Sequence, residues 1–286
     1  PQGELARRTI GQVGDKGNYG VEYVLRDVLE GRDGKARRQR IARGFYGRVV
    51  GGDNSEPEDG LDVVTTLDLE MQDVADRALR RQLEAQNALW GTALVMEVAT
   101  GDLLAMANLS RTKSGAYAEV KNHALSSRME PGSTFKLAAL LALVDDAGMS
   151  LDETFDTGNG ARVKVGRTTV QDSHGLPPLN LKDAVAHSSN VFFARAVYET
   201  YKDDPERYVD YLRHLHLDRT VGLEEFGAVA PIFPAPGMKI WYPDVSIVNM
   251  GYGYAIELTP LHTLTLYNAV ANDGCMVAPR LVREIR

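Results

Sequence analysis

Two short segments of this chain place nucleophilic and basic side chains at helical spacing. Ser133 and Lys136 stand three residues apart in Glu130-Pro131-Gly132-Ser133-Thr134-Phe135-Lys136, and an apolar run, Leu137 to Val144, follows. Proline and glycine end the preceding chain, so Ser133 falls at the N-terminus of a helix and Lys136 on the same face. A run apolar all round predicts a helix buried on every side. A serine hydroxyl is a poor nucleophile until an adjacent base takes its proton. Lysine serves as that base only when neutral, so its reference pKa of about 10.4 must fall by about three units, roughly 4 kcal/mol. A helix N-terminus contributes up to about 2 kcal/mol. Burial, which shifts lysines by about 3–5 units, must supply much of the rest.

The second segment begins at Asn180-Leu181-Lys182-Asp183, a helix N-cap with an acid in the first turn. That helix runs into His187-Ser188-Ser189-Asn190, and another starts at Val191-Phe192-Phe193. Ser188 and Asn190 are spaced to point a hydroxyl and an amide into one cleft from a short inter-helix connection. The hydroxyl can relay a proton to a leaving amine, and the amide can orient a lysine and a substrate carbonyl. Taken singly, each segment also fits a plain reading: an N-cap serine with a snorkelling lysine, and two polar caps at a helix junction. A second Ser-x-x-Lys, Ser110-Arg111-Thr112-Lys113, has no apolar run after it and reads as a loop.

The elements that must position these residues have their own signals. Residues 1 to about 60 are rich in glycine and charge and predict short strands and loops. Arg37, Arg38, Arg40 and Arg43, near Gly34 and Gly44, form a solvated face or exposed hairpin. Gly51 to Gly60 reads as a linker or long turn. From Leu61 the texture changes: Asp62 to Leu67 suits a strand, and Asp68 caps a helix running to about Gln86. Thr92 to Val98 and Leu103 to Ala107 flank Ala99-Thr100-Gly101-Asp102 as a β-hairpin. Helices then dominate, the last opening at Thr259-Pro260 and ending near Gly274, before a late strand over Met276 to Ile285. Strands, a long helical insertion and a late strand make an α/β (α+β) sandwich, without alternating βαβ units.

Composition narrows the function. The 286 residues are 44% hydrophobic and 25% charged, enough for a sizeable core in one or two domains. A net charge of −7 argues against nucleic acid as the main partner. The single cysteine, Cys275, makes no internal disulfide and reads as a small core hydrophobe. His214-x-His216 lacks further ligands at metal-binding spacing. No glycine-x-serine-x-glycine elbow, third glycine after Gly251-x-Gly253, or phosphate loop occurs.

In this order and with these flanks, the two segments resemble penicillin-binding proteins. Serine-x-x-lysine, serine-x-asparagine and lysine-threonine-glycine motifs mark that superfamily, which includes the class A β-lactamases. Further stretches are similar: Gly60 to Asp68 with Gln72 to the transpeptidase entry, Ala99 to Ala107 to the first sheet hairpin, and Gly251-Tyr252-Gly253 through Gly274 to the approach to the last catalytic strand. Gly20-Val21-Glu22-Tyr23 and Leu29 to Gly34 resemble the pedestal of class B members, and Glu130 before Pro131 leans toward division-type transpeptidases.

The resemblance implies an antiparallel sheet with a large helical subdomain over residues 61–286, and part of an N-terminal pedestal over 1–60. It implies Ser133 as acylated nucleophile, Lys136 as its general base, and Ser188 and Asn190 as proton relay and substrate contact. Backbone N–H groups, one at Ser133, would hold the oxyanion. The implied reaction cross-links peptidoglycan stem peptides, with no cofactor or metal. β-Lactams would act as inhibitors, and a membrane glycosyltransferase and other division proteins would be partners. The catalytic part would lie outside the cytoplasmic membrane, anchored by an upstream helix. No lysine-threonine-glycine follows Asn190; Lys113-Ser114-Gly115 precedes Ser133 and is in the wrong order. The chain, starting at Pro1 and stopping at Arg286, therefore reads as a fragment with an exposed sheet edge, without one wall of the cleft and inactive by itself. A non-catalytic β-lactam sensor, a division scaffold and a β-lactamase are the alternatives, and a pedestal favours the transpeptidase over the last.

Overall fold

The computed structural model describes residues 4–15, 17–35, 38–48 and 55–286. The N-terminal stretch differs from the strands and loops expected of it. It opens with three short helical turns, α1 (Arg7–Ile10), α2 (Gly20–Val24) and α3 (Arg26–Leu29), before a hairpin of β1 (Arg38–Ala42) and β2 (Phe45–Arg48). Each helix is only four or five residues long, too short for an apolar period to show in the sequence. The hairpin sits where the arginine run was expected to form one, with Gly44 at φ +89° in its turn. Arg37, and Gly51 to Asn54 of the expected linker, lie outside the described residues.

After β3 (Val63–Thr65), α4 (Leu69–Gln86) starts at Asp68, whose carboxylate accepts the N–H of Met71 at 2.9 Å. This helix packs on the antiparallel sheet β4 (Trp90–Met96), β5 (Leu103–Arg111), β6 (Tyr117–Ala118), in which β4 forms one edge. Ser110 and Arg111 close β5 and only Thr112 onward turns, so the second Ser-x-x-Lys is a strand end, not a loop throughout. The short α5 (His123–Ser126) leads to a 3-10 turn, Gly132–Phe135, which continues into α6 (Lys136–Leu141) and a π-helical turn, Ala142–Asp146.

The helical region adds the small strands β7 (Thr154–Phe155), β8 (Val163–Val165), β9 (Thr168–Val170) and β10 (Leu179–Asn180). Then come α7 (Leu181–Ala186), α8 (Asn190–Tyr201), α9 (Pro205–His214), α10 (Ser246–Met250) and α11 (Pro260–Ala271). Its core gathers Phe135, Ala138, Phe192, Phe193, Tyr201 and Leu212 around α8. A second core, with Leu103, Met106, Leu125, Leu261 and Leu281, lies under the sheet. The late strand is shorter than expected: only β11 (Val282–Ile285) forms, antiparallel to β3. Arg280 and Arg283 converge on the buried carboxylate of Asp102 at 2.5 and 2.8 Å, fastening this end to the β4–β5 turn. Cys275 is exposed in the turn after α11, contrary to the core position expected, because the helix has already ended. Among the described residues no helix is long and apolar enough to cross a membrane.

Glu119 ties the N-terminal stretch to the sheet. Its buried carboxyl accepts the backbone N–H of Arg8 at 2.7 Å and of Asn108 at 3.2 Å. Burial lifts its pKa from 4.5 to about 7, with the Asp76 charge adding to the rise, while the two N–H groups and Arg8 oppose it. Folding therefore binds a proton here more tightly than the unfolded chain does. This contribution to stability is complete below about pH 4.5 and is lost as pH rises through about 7. Its full size is about 3 kcal/mol. Thermal unfolding at a series of pH values should show stability falling across this window, and Glu119→Gln should flatten the fall; equal slopes in both proteins would show that Glu119 does not titrate here.

Candidate active site

The 3-10 turn that carries Ser133 is held from outside. Gly132 takes φ +56° and donates its N–H to the carbonyl of Gly253 at 2.9 Å. A Cβ on Gly253 would come within 1.9 Å of the Gly132 carbonyl oxygen, so only glycine permits this approach. The Glu130 carboxylate accepts the N–H of Ala255 at 2.9 Å, Met129 pairs with Leu258, and the Tyr267 hydroxyl donates to the Thr134 carbonyl at 3.0 Å. The run after Lys136 is not buried on every side as its composition suggested. Ala138, Ala139, Ala142 and Leu143 are buried and Leu137, Leu140 and Leu141 are partly buried against the same core, whereas Val144, in the π-helical turn, is 39% exposed. The resulting burial is still deep at Lys136, which is 5% exposed, while Ser133 opens to solvent.

The second segment forms as expected. Asn180 caps α7 by accepting the N–H of Asp183 at 2.8 Å, and Ser189 caps α8 by accepting the N–H of Phe192 at 3.0 Å. Between the helices Ser188 takes φ +52°, a left-handed conformation that costs a non-glycine residue about 1 kcal/mol. That turn aims both its hydroxyl and its carbonyl at Lys136.

Three of the four expected site residues converge on the nitrogen of the fourth, Lys136. Lys136 Nζ lies 3.1 Å from Ser133 Oγ, 3.0 Å from Ser188 Oγ and 2.7 Å from Asn190 Oδ1, and it donates to the Ser188 carbonyl. The Asn190 Nδ2 faces the Gln171 carbonyl at 3.4 Å, which turns Oδ1 toward the lysine. The Phe193 ring stands 5.9 Å away. Among the described residues Lys136 forms no ion pair with a carboxylate. Burial accordingly lowers its pKa from 10.5 to about 8, opposed by the charge of Asp172.

This arrangement suits a neutral amine. Its two N–H groups meet two carbonyl oxygens, of Ser188 and Asn190, which can only accept. Its lone pair is then free for the Ser133 proton at 3.1 Å. The Ser188 hydroxyl, 3.0 Å from the same nitrogen, can take that proton onward. Sequence reasoning did not find Asp172, whose buried carboxyl accepts from Ser189 Oγ at 2.8 Å and from the N–H groups of Asn190 and Val191 at 2.5 and 3.1 Å. It follows β9 by two residues and stands 17 residues before Ser189, with no helical or strand period linking the two.

Comparison with known proteins gives a consistent result. A family profile, the penicillin-binding protein transpeptidase domain, matches residues 91–286. The penicillin-binding protein PbpB of Mycobacterium tuberculosis is 30% identical over 99% of the chain and 42% of its own length. PenA of Neisseria meningitidis, named a probable peptidoglycan D,D-transpeptidase, is 27% identical over 97% of the chain and 48% of its own length. The chain thus spans less than half of these relatives. Crystalline penicillin-binding protein 3 of M. tuberculosis in complex with aztreonam superposes with a TM-score of 0.81, at 27% identity, covering all of this chain and 60% of that one. Penicillin-binding protein 2X of Streptococcus thermophilus shares the fold at a TM-score of 0.78 and 20% identity, over 99% of this chain and 43% of its own. With its fold and matched residues in agreement, the chain belongs to the penicillin-binding protein transpeptidase family.

Proposed function

We propose that this chain carries the acylation machinery of a peptidoglycan D,D-transpeptidase, with Ser133 as nucleophile and Lys136 as its base. The observation that supports the reading best is an unpaired, desolvated lysine amine within hydrogen-bonding distance of an exposed serine hydroxyl. Ser133 Oγ attacks the carbonyl carbon of the penultimate D-alanine of a stem peptide while its proton passes to Lys136 Nζ. The tetrahedral oxyanion is held by backbone N–H groups, that of Ser133 among them. The bond to the terminal D-alanine then breaks, and the departing amine receives its proton by way of Ser188. An amine of a neighbouring stem then attacks the acyl carbon, its surplus proton passes to the neutral Lys136 amine, and the bond to Ser133 Oγ breaks as that oxygen takes the proton from Lys136. A β-lactam amide enters by the same first step and leaves a stable acyl group on Ser133.

Residues 61–286 form the transpeptidase part in this reading, and 1–60 belong to a pedestal that positions it. Glu130 immediately before Pro131-Gly132-Ser133 resembles division-type transpeptidases and supports that type, the one expected to work with a membrane glycosyltransferase. The activity is placed on the outer side of the cytoplasmic membrane, where stem peptides are found.

Two experiments follow. Intact mass should be measured after incubation with benzylpenicillin, on this chain and on a version carrying a lysine-threonine-glycine strand beyond Arg286. The version with the strand should gain one drug mass, Ser133→Ala should gain none, and Lys136→Ala should acylate about 10²–10⁴-fold more slowly. An unmodified but folded protein would remove the acyltransferase reading in favour of a scaffold; a benzylpenicillin adduct on a protein that passes no acyl group from a D-Ala-D-Ala stem-peptide donor to an added amine would favour a sensor. Separately, Ser188→Gly relieves the left-handed backbone and removes the relay hydroxyl. Calorimetry should show Ser188→Gly more stable than Ser188→Ala, which also lacks the hydroxyl, by about 1 kcal/mol, and both should acylate slowly; equal stability of the two would mean that the turn is not strained.

A further inference from the structure

Asp172 is buried beside the site, yet none of the steps above uses it. One carboxylate oxygen accepts the N–H groups of both Asn190 and Val191, at 2.5 and 3.1 Å, and the other accepts the Ser189 hydroxyl at 2.8 Å. Ser189 Oγ in turn accepts the N–H of Phe192. A single side chain therefore holds three consecutive residues at the start of α8, and a fourth, Phe192, through Ser189, next to the left-handed Ser188. Among the described residues its charge is also the one that opposes the lowering of the Lys136 pKa by burial.

We propose that Asp172 is a positioning residue for acyl transfer: it clamps the Ser188–Asn190 connection onto Lys136 and brings a buried negative charge against Asn190, the residue whose side chain holds that amine. The proposal rests on the reading of Ser133 and Lys136 given above. Two jobs fall to one carboxylate because each needs it buried. A clamp on three donors must exclude water to hold its geometry. A charge acts on a neighbour at full strength only in a low-dielectric setting. The electrostatic job has a catalytic purpose. Burial alone would weaken the base as it neutralises it, and a weaker base takes the serine proton less readily. A nearby negative charge leaves Lys136 poised close to ambient pH.

Few other ionisable groups face this arrangement. Lys136 meets Ser133, Ser188 and Asn190, all uncharged near neutral pH, and the Phe193 ring. On the segments carrying Asp172 and Ser188, His174 and His187 are exposed with their rings 6.4 Å apart, and His174 is held by Ser173 Oγ at 3.0 Å.

The two jobs separate by substitution. Asparagine matches aspartate in shape. Its Oδ1 can accept both N–H groups and its Nδ2 can donate to Ser189 Oγ, so Asp172→Asn keeps the clamp and removes the charge. Asp172→Ala removes both, and Asp172→Glu restores the charge on a misplaced clamp. Second-order acylation by benzylpenicillin should be followed from pH 5 to 10 on the form of the chain that acylates. Loss of a negative charge disfavours the cationic lysine, so the acid limb of the profile should move to lower pH, by about one unit, in both Asp172→Asn and Asp172→Ala. It should stay in place in Asp172→Glu. The high-pH plateau should fall by about 10²-fold in Asp172→Ala and Asp172→Glu, and by much less in Asp172→Asn. A limb unmoved in Asp172→Asn and Asp172→Ala would overturn the proposal, as would a limb that moves only in a His174→Asn/His187→Asn double variant. Either result would leave Ser133-dependent acylation standing, whereas absence of acylation in the unsubstituted protein would overturn the underlying reading and this one with it.

Discussion

The structure turns on a lysine amine withdrawn from water that, among the described residues, forms no ion pair with a carboxylate. Lys136 is 5% exposed, and its nitrogen meets two carbonyl oxygens and two hydroxyls. A direct ion pair would stabilise the cation and keep the amine protonated. Full burial without polar partners would strand it. The observed setting lies between these limits: neutral acceptors satisfy the amine, and Asp172 acts on it while its own hydrogen bonds go to α8. This balance brings the lysine near the pH at which it can both lose and regain a proton.

Holding that balance needs segments far apart in sequence. The serine turn comes from residues 130–135, the acceptors from 188–190, and the charge from 172. The turn is fixed by Gly253, Ala255 and Tyr267, and its hydrogen bonds cross more than a hundred residues of chain. These anchors draw heavily on backbone N–H and C=O groups, which keep their position whatever the side-chain rotamer. The buried cluster of Phe135, Phe192 and Phe193 gives α6 and α8 a rigid floor, so small displacements of the nitrogen are resisted by close packing. The left-handed backbone at Ser188 is local strain that the surrounding hydrogen bonds hold in place.

Much of this was legible in the sequence because its signals are local. The caps Asp68, Asn180 and the start of α8 announce themselves through polar residues ahead of apolar ones, and each of Asp68, Asn180 and Ser189 accepts a backbone N–H. Ser133 and Lys136 share a helical face by spacing alone, and the structure brings them together with Ser188 and Asn190. The features that were not legible arise from long-range contact. Asp172 and Glu119 are single acids in unremarkable surroundings, and only the folded chain shows that backbone donors converge on them. The helical turns α1 to α3 are too short to carry a period, and Cys275 lost its expected burial because α11 ends three residues earlier than Gly274. The stretch 276–281 looks strand-like but only bridges to the sheet at Asp102, where two arginines hold it.

The central claim is that Lys136 is a base tuned by burial, and its own titration tests that most directly. With 13C at lysine Cε, and the Lys136 resonance assigned by its absence in Lys136→Met, the chemical shift can be followed from pH 6 to 11. The account predicts a midpoint near 8, set apart from the exposed lysines. A midpoint at the ordinary lysine value of 10.5 would contradict it, because the neutral amine that takes the proton of Ser133 would then be about 300-fold scarcer at neutral pH.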